Sequence, residues 1–138
     1  MKTYKPVLTD SILAAEDIAS NLFVNFAGEL CGANEKSYGV SELPVDSGEM
    51  ASVIVEGIAL VIAGDVVSIG DAVKSDADGK AVTATAVTAT VPTGATGVTS
   101  SGAQPTLVVA GAVLPDSING YALDAAAEAG DLIRVKLV

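Results

Sequence analysis

At 138 residues, with 17 acids against 7 bases, a net charge of −10 and a pI near 4.1, the chain has the size of one acidic domain. Phosphate-binding surfaces need clustered Lys or Arg, and the bases here are scattered along the sequence, which argues against nucleic acid as a partner. A single cysteine excludes an intrachain disulfide, and the absence of His removes the commonest general base and metal ligand.

Half of the residues are apolar, but 23 are Ala and 19 are Val, against 2 Phe, 3 Tyr and no Trp. A buried Leu or Phe contributes ~1.5–3 kcal/mol and a methyl-sized side chain much less, so the expected core is thin. The mean hydropathy of +0.53 points the same way: a chain this apolar and this acidic is expected to bury some faces against partners, including copies of itself.

Residues 1–11 carry Lys2, Tyr4, Lys5 and Pro6 and read as an extended, mildly basic arm, without the apolar run of a signal peptide. Such an arm is either a frayed terminus or a tether that adds main-chain hydrogen bonds to a partner's sheet edge. The segment 10–20, DSILAAEDIAS, fits a short helix capped by Asp10 or Ser11, and equally fits two short strands around a turn at Glu16-Asp17. From 12 to 138 a single β-rich domain is expected.

Leu22–Phe26 predicts a strand with Phe23 or Phe26 in the core, Leu30–Gly32 a partner strand, and Tyr38–Val40 a further element. Val53–Ile62 is apolar on both faces, which suits a central strand or an oligomer seam through Val53, Val55, Ile58, Leu60 and Ile62. The stretch from Val53 to Ile69 is broken by Glu56, Gly57, Gly64 and Asp65, too often to cross a bilayer, and reads as a pair of buried strands. Asp71–Ser75 and Lys80–Ala84 flank Asp78-Gly79, a hairpin turn. Residues 83–105 are low in complexity and predict a strand followed by a long exposed loop. Leu107–Leu114, Asn119–Leu123 and Leu132–Val138 supply the last strands, and Asp124–Glu128 is helix-capable. In the final strand Ile133, Val135 and Leu137 alternate with Arg134 and Lys136. The expected class is all-β, a small barrel or sandwich of short strands with Gly-Asp turns.

Three times a Gly is followed at once by an acid and a strand-forming run, at Gly48-Glu49, Gly70-Asp71 and Gly130-Asp131. No fixed period links them, so they read as repeated turn chemistry, not as a solenoid. Asp76-x-Asp78-Gly79 resembles the start of a calcium loop, but the remaining oxygen ligands do not follow it, and no metal or other cofactor is expected. There is no phosphate loop, since Gly79-Lys80 is followed by Ala81, and no Gly-x-Ser-x-Gly elbow. Cys31 reads as a small buried apolar residue. No enzymatic centre is expected.

The segments FVNFAGELCGANEKSYGV at 23–40, SGEMASVIVEGIALVIAGDVVSIGDAVKSDADGKAV at 47–82 and INGYALDAAAEAGDLIRVKL at 118–137 resemble the capsid cement, or head decoration, proteins of tailed bacteriophages. The resemblance implies a compact β-rich subunit that is made in the host cytoplasm. It would form homotrimers on the outer surface of the virion head and clamp neighbouring major capsid proteins, with no contact to nucleic acid or membrane. The arm residues Lys2, Thr3, Tyr4, Lys5 and Pro6 are then the expected capsid contact. A different class, a receptor-binding or surface β module such as a head fibre base or a bacterial surface domain, is the alternative.

Overall fold

The computed structural model describes residues 2–85 and 117–138, which form eight strands and no helix. They are β1 (Lys5–Leu13), β2 (Phe23–Val24), β3 (Gly39–Ser41), β4 (Met50–Ile62), β5 (Ala72–Ser75), β6 (Ala81–Thr83), β7 (Gly120–Ala122) and β8 (Leu132–Leu137). One antiparallel sheet runs β2-β3-β4-β8-β7-β5-β6, with β1 added to β4. Its two ends approach each other where Phe23 N donates to Gly79 O at 2.8 Å, so the sheet nearly closes into a barrel.

The long strand β4 organises the barrel because both of its edges are paired. Val53 and Ile54 pair with both β1 and β3, and Ile58 pairs with both Lys5 and Lys136. A residue with two strand partners has one on each edge, so β1 lies along one edge of β4 while β3 and β8 follow one another along the other.

The segment 10–20 resolves to the strand-and-turn alternative. Strand β1 runs through Leu13, the chain bends at Ala15-Glu16, and Ile18 bridges Val45. A helix here would have left the amides of β1 without the β4 ladder they use. Asp124–Glu128 is likewise not helical, because Ala126 pairs with Val67 instead. The Val53–Ile69 stretch is one strand and a corner, not two strands: after Ile62 only Ala63 and Val67 make isolated bridges. The strand and loop expected within residues 86–116 lie outside the described residues.

Two buried clusters share β4. The barrel interior joins Phe23, Val40, Val61, Val73, Ile133 and Val135 with small residues such as Ala59, Ala63 and Ala122. A second cluster, around Ile18, Val24, Val45 and Val53, is roofed by Ile12, Leu30 and Tyr38. Of the five aromatics in the chain only Phe23 is fully buried, so the interior is built from Val and Ala, as the composition implied.

The three Gly-acid pairs turn out to be one device used three times. Gly48, Gly70 and Gly130 hold φ of 88°, 89° and 97°, where an L side chain is strained. The amide of each donates to the carbonyl of a buried Ala in a different segment: Gly48 to Ala14 at 2.8 Å, Gly70 to Ala122 at 2.8 Å and Gly130 to Ala63 at 2.7 Å. Each Ala amide donates back to the acid after that Gly, at Glu49, Asp71 and Asp131. The clamped segments share a pattern of Ala, any residue, acid, any residue, apolar: Ala14–Ile18, Ala63–Val67 and Ala122–Ala126. Corners 63–71 and 122–131 therefore hold each other reciprocally.

Candidate functional site

Of the residues expected at the capsid contact and at the oligomer seam, Lys5, Ile58, Leu60 and Ile62 share one face. Cross-strand partners in an antiparallel sheet point their side chains to the same side. The pairings Lys5↔Ile58, Ile58↔Lys136, Lys136↔Tyr121 and Tyr121↔Ala72 thus make one row across four strand boundaries on the outside of the barrel. Two shorter rows run beside it, Leu60↔Arg134 and Ile62↔Leu132. The inward partners of these strands, Ala59, Val61, Ile133 and Val135, are completely buried, which fixes the row as the outer face.

The arm borders this face. Lys2 Nζ donates to Leu132 O at 2.6 Å and Tyr4 Oη donates to Glu42 Oε1 at 3.2 Å, while Tyr4 sits beside Leu60 and Ile54. Thr3 and Pro6 are exposed, and Pro6 lies opposite Gly57. The main chain of β1 is bonded to its own β4, so the arm is already part of a sheet. Its free edge is blunted against further strand addition by Pro6 and by register shifts on either side of Leu8.

Four of the chain's seven bases stand on or beside this face: Lys2, Lys5, Arg134 and Lys136. Arg134 is tied down, since Nε and Nη2 donate to the two carboxylate oxygens of Asp124 at 2.9 Å each. That fork, the Arg134 amide and nearby Lys2 hold the Asp124 carboxyl down at about 2. Half-buried Ile58, Leu60, Ile62 and Leu132 lie between the bases, and Tyr121 is 43 % exposed. Beside Ile58 and Lys136 an open groove of about 410 Å³ runs past Val7, Val55, Leu137 and Val138, and the acid Glu56 lines it too. Val53, placed in the seam by its sequence pattern, is fully buried within the subunit against Ile18 and Val24. The position of the face was partly hidden from the sequence. Lys136 was marked as outward by its alternation, but nothing local places it across Ile58 from Lys5, 131 residues earlier.

The groups that could have been mistaken for chemistry have structural tasks. Cys31 is fully buried, and burial, with Glu35 adding to it, pushes its thiol up to about 12, far from a reactive thiolate. Asp76 Oδ1 accepts the amides of Asp78 and Lys80 at 2.8 and 2.9 Å, closing the hairpin turn. Among the described residues no three His, Cys, Asp or Glu side chains group as a metal site, and no helix is long and apolar enough to cross a membrane.

The described residues thus form a nearly closed all-β barrel. A family model described as phage cement protein matches residues 1–111. The chain belongs to the phage cement protein family and is a capsid-associated structural protein of a bacteriophage. No curated protein matches it. Among solved structures, the chain is similar in fold to the N base of the head fiber gp8.5 of bacteriophage phi29, with a TM-score of 0.64, 18 % identity, and coverage of 95 % of this chain and 93 % of that one.

Proposed function

We propose that the protein binds the outer surface of a phage head as a homotrimer and stabilises contacts between neighbouring major capsid proteins. The observation that carries this reading beyond the family is where the aromatics lie. A chain with only five of them leaves Tyr4, Phe26 and Tyr121 between 42 % and 67 % exposed, although its core is built largely of Val and Ala. Exposed aromatics are a signature of protein contact surfaces. A trimer offers the shell three copies of one weak contact, and after the first engages, the others bind at high effective concentration. The acidic exterior suits a site shielded from the packaged genome by the shell.

The likeness to a head fiber base favours one further reading, in which this domain is a platform for a longer appendage. Both readings place the protein on the head, and they differ in what it does there. The test is co-sedimentation of the purified protein with capsids that lack it, followed by heating. Saturable binding that raises the temperature of capsid rupture supports the cement role, whereas binding that leaves rupture unchanged supports the platform. No binding removes both.

A further inference from the structure

Beside the arm a second pocket, of about 190 Å³, is lined by Tyr4, Asn21, Glu42, Leu43, Ile54 and Leu60. Its polar centre is the Glu42 carboxylate, which the subunit holds from two sides. Tyr4 Oη donates to Oε1 at 3.2 Å and Ser52 Oγ donates to Oε2 at 2.9 Å, while the Glu42 amide donates to Ser52 O at 3.0 Å. Both side-chain partners are neutral hydroxyls, so the negative charge is oriented without being balanced. No Lys or Arg lines the pocket, and among the described residues none forms an ion pair with Glu42. Lys2 and Lys5 flank Tyr4 along the arm, but Lys2 is anchored on Leu132 O and Lys5 stands opposite Ile58. The acids Asp124 and Glu56 differ from Glu42 in having a base at hand: Arg134 forks Asp124, and Glu56 shares its groove with Lys136.

Donors and acceptors decide what such a pocket can take. A hydroxyl carries one proton, and those of Tyr4 and Ser52 are both spent on Glu42. Each carboxylate oxygen keeps room for a further donor, and Asn21, whose amide nitrogen reaches Ser20 Oγ at 3.5 Å, adds a carbonyl oxygen. The pocket thus offers acceptors and a full negative charge. It repels an anion, and it leaves a sugar hydroxyl, which accepts as well as donates, only half served. A guanidinium has five donors and no acceptor, and two of those donors match the two oxygens of a carboxylate. The walls suit the rest of an arginine: the Tyr4 ring, 42 % exposed, for the cationic plane, and Leu43, Ile54 and Leu60 for the methylene stem.

We infer that this pocket receives an arginine side chain of the protein on which the subunit docks. The inference rests on the capsid-binding reading above and gives it one anchor. A second copy of the chain does not supply the group, because Arg134 is the chain's one arginine and its fork is closed on Asp124. The donor is an arginine exposed on the shell. An aromatic ring and an oriented acid around a partner's arginine have the composition of an interface hot spot.

The experiment is co-sedimentation of the purified protein with capsids that lack it, with circular dichroism confirming that each variant is folded. Glu42→Gln keeps the size of the side chain, removes its charge, and should weaken capsid binding about tenfold or more. Tyr4→Ala, a change in the exposed arm, should also weaken it. Two treatments of the capsids, each checked intact by electron microscopy, then identify the partner group: phenylglyoxal blocks arginine, and acetylation blocks lysine. Blocking arginine should erase the difference between the wild type and Glu42→Gln, because both changes remove one contact, whereas acetylation should leave that difference in place. Wild-type affinity in Glu42→Gln, or a difference that persists on arginine-blocked capsids, would overturn the inference and leave the capsid role standing. A difference erased by acetylation instead would assign the pocket to lysine and overturn the arginine. A wild type that binds no capsids removes the capsid reading and the inference with it.

Discussion

Gly57 is the point at which the arm is fastened to the barrel, and replacing it with Ala should release the arm without unfolding the domain. Gly57 holds φ at 111°, and a Cβ there would lie 2.4 Å from Lys5 O and 2.7 Å from Val7 N. Both obstacles are backbone atoms of β1, so no side-chain rotation relieves them. The unfavourable φ alone costs ~1–3 kcal/mol in a non-Gly residue. Besides its ladder on β4 and the hydrogen bond that Tyr38 Oη donates to Asp10, strand β1 has little apolar burial to set against that: every residue from Lys5 to Ser11 is exposed, and only Ile12 reaches the second cluster. The chain therefore escapes the clash by opening β1, not by distorting the barrel interior, to which β1 contributes nothing. Hydrogen exchange followed by mass spectrometry reads this directly. Amides of Leu8–Leu13 should exchange about ten- to a hundredfold faster in Gly57→Ala, since each 1.4 kcal/mol is a factor of ten, while those of β7 and β8 keep their protection. Unchanged exchange across β1 would refute the account of how the arm is held. Equal acceleration throughout the molecule would refute its separation from the core.

Phe23→Ala should lose ~3–5 kcal/mol in denaturant unfolding, because it empties the one large aromatic site of a Val- and Ala-built interior, whereas Phe26→Ala, 67 % exposed, should change stability by less than ~1 kcal/mol. Asp124 has a folded-state pKa lowered from 3.8 to about 2, so its pairing with Arg134 contributes stability above pH 4 that disappears as the pH falls to 2. Asp124→Asn should remove that part of the acid slope in a pH series of melting curves, at a cost near neutrality of no more than ~1 kcal/mol, as for a partly exposed pair. Cys31 should react with maleimide only through unfolding. Labelling that is fast in native buffer would contradict its complete burial.

What the sequence disclosed follows from what is local in it. The alternation of Ile133, Val135 and Leu137 with Arg134 and Lys136 reports one buried face, and β8 is found there. Asp78-Gly79 encodes a hairpin turn by itself, and Gly79 has the positive φ it needs. Ala-rich segments are different. Ala14 and Ala126 belong to stretches that local propensity allows to be helical, and they are extended only because Glu49 and Val67, far away in sequence, supply the carbonyls they bond. The candidate face was legible in its components and not in its assembly: Lys5 and Ile58 drew notice for separate reasons, and only the β1–β4 register makes them neighbours. Val53 misleads because Ala51, Val53 and Ile54 bury both sides of the first half of β4, which a pattern of uniform apolarity cannot distinguish from a seam.

The capsid role itself is tested most directly by electron microscopy of expanded capsids lacking the protein, before and after its addition. The account predicts new three-lobed density on the outer surface that saturates with added protein. Capsids that stay bare at saturating protein, or that gain density only on the inner surface, would contradict it.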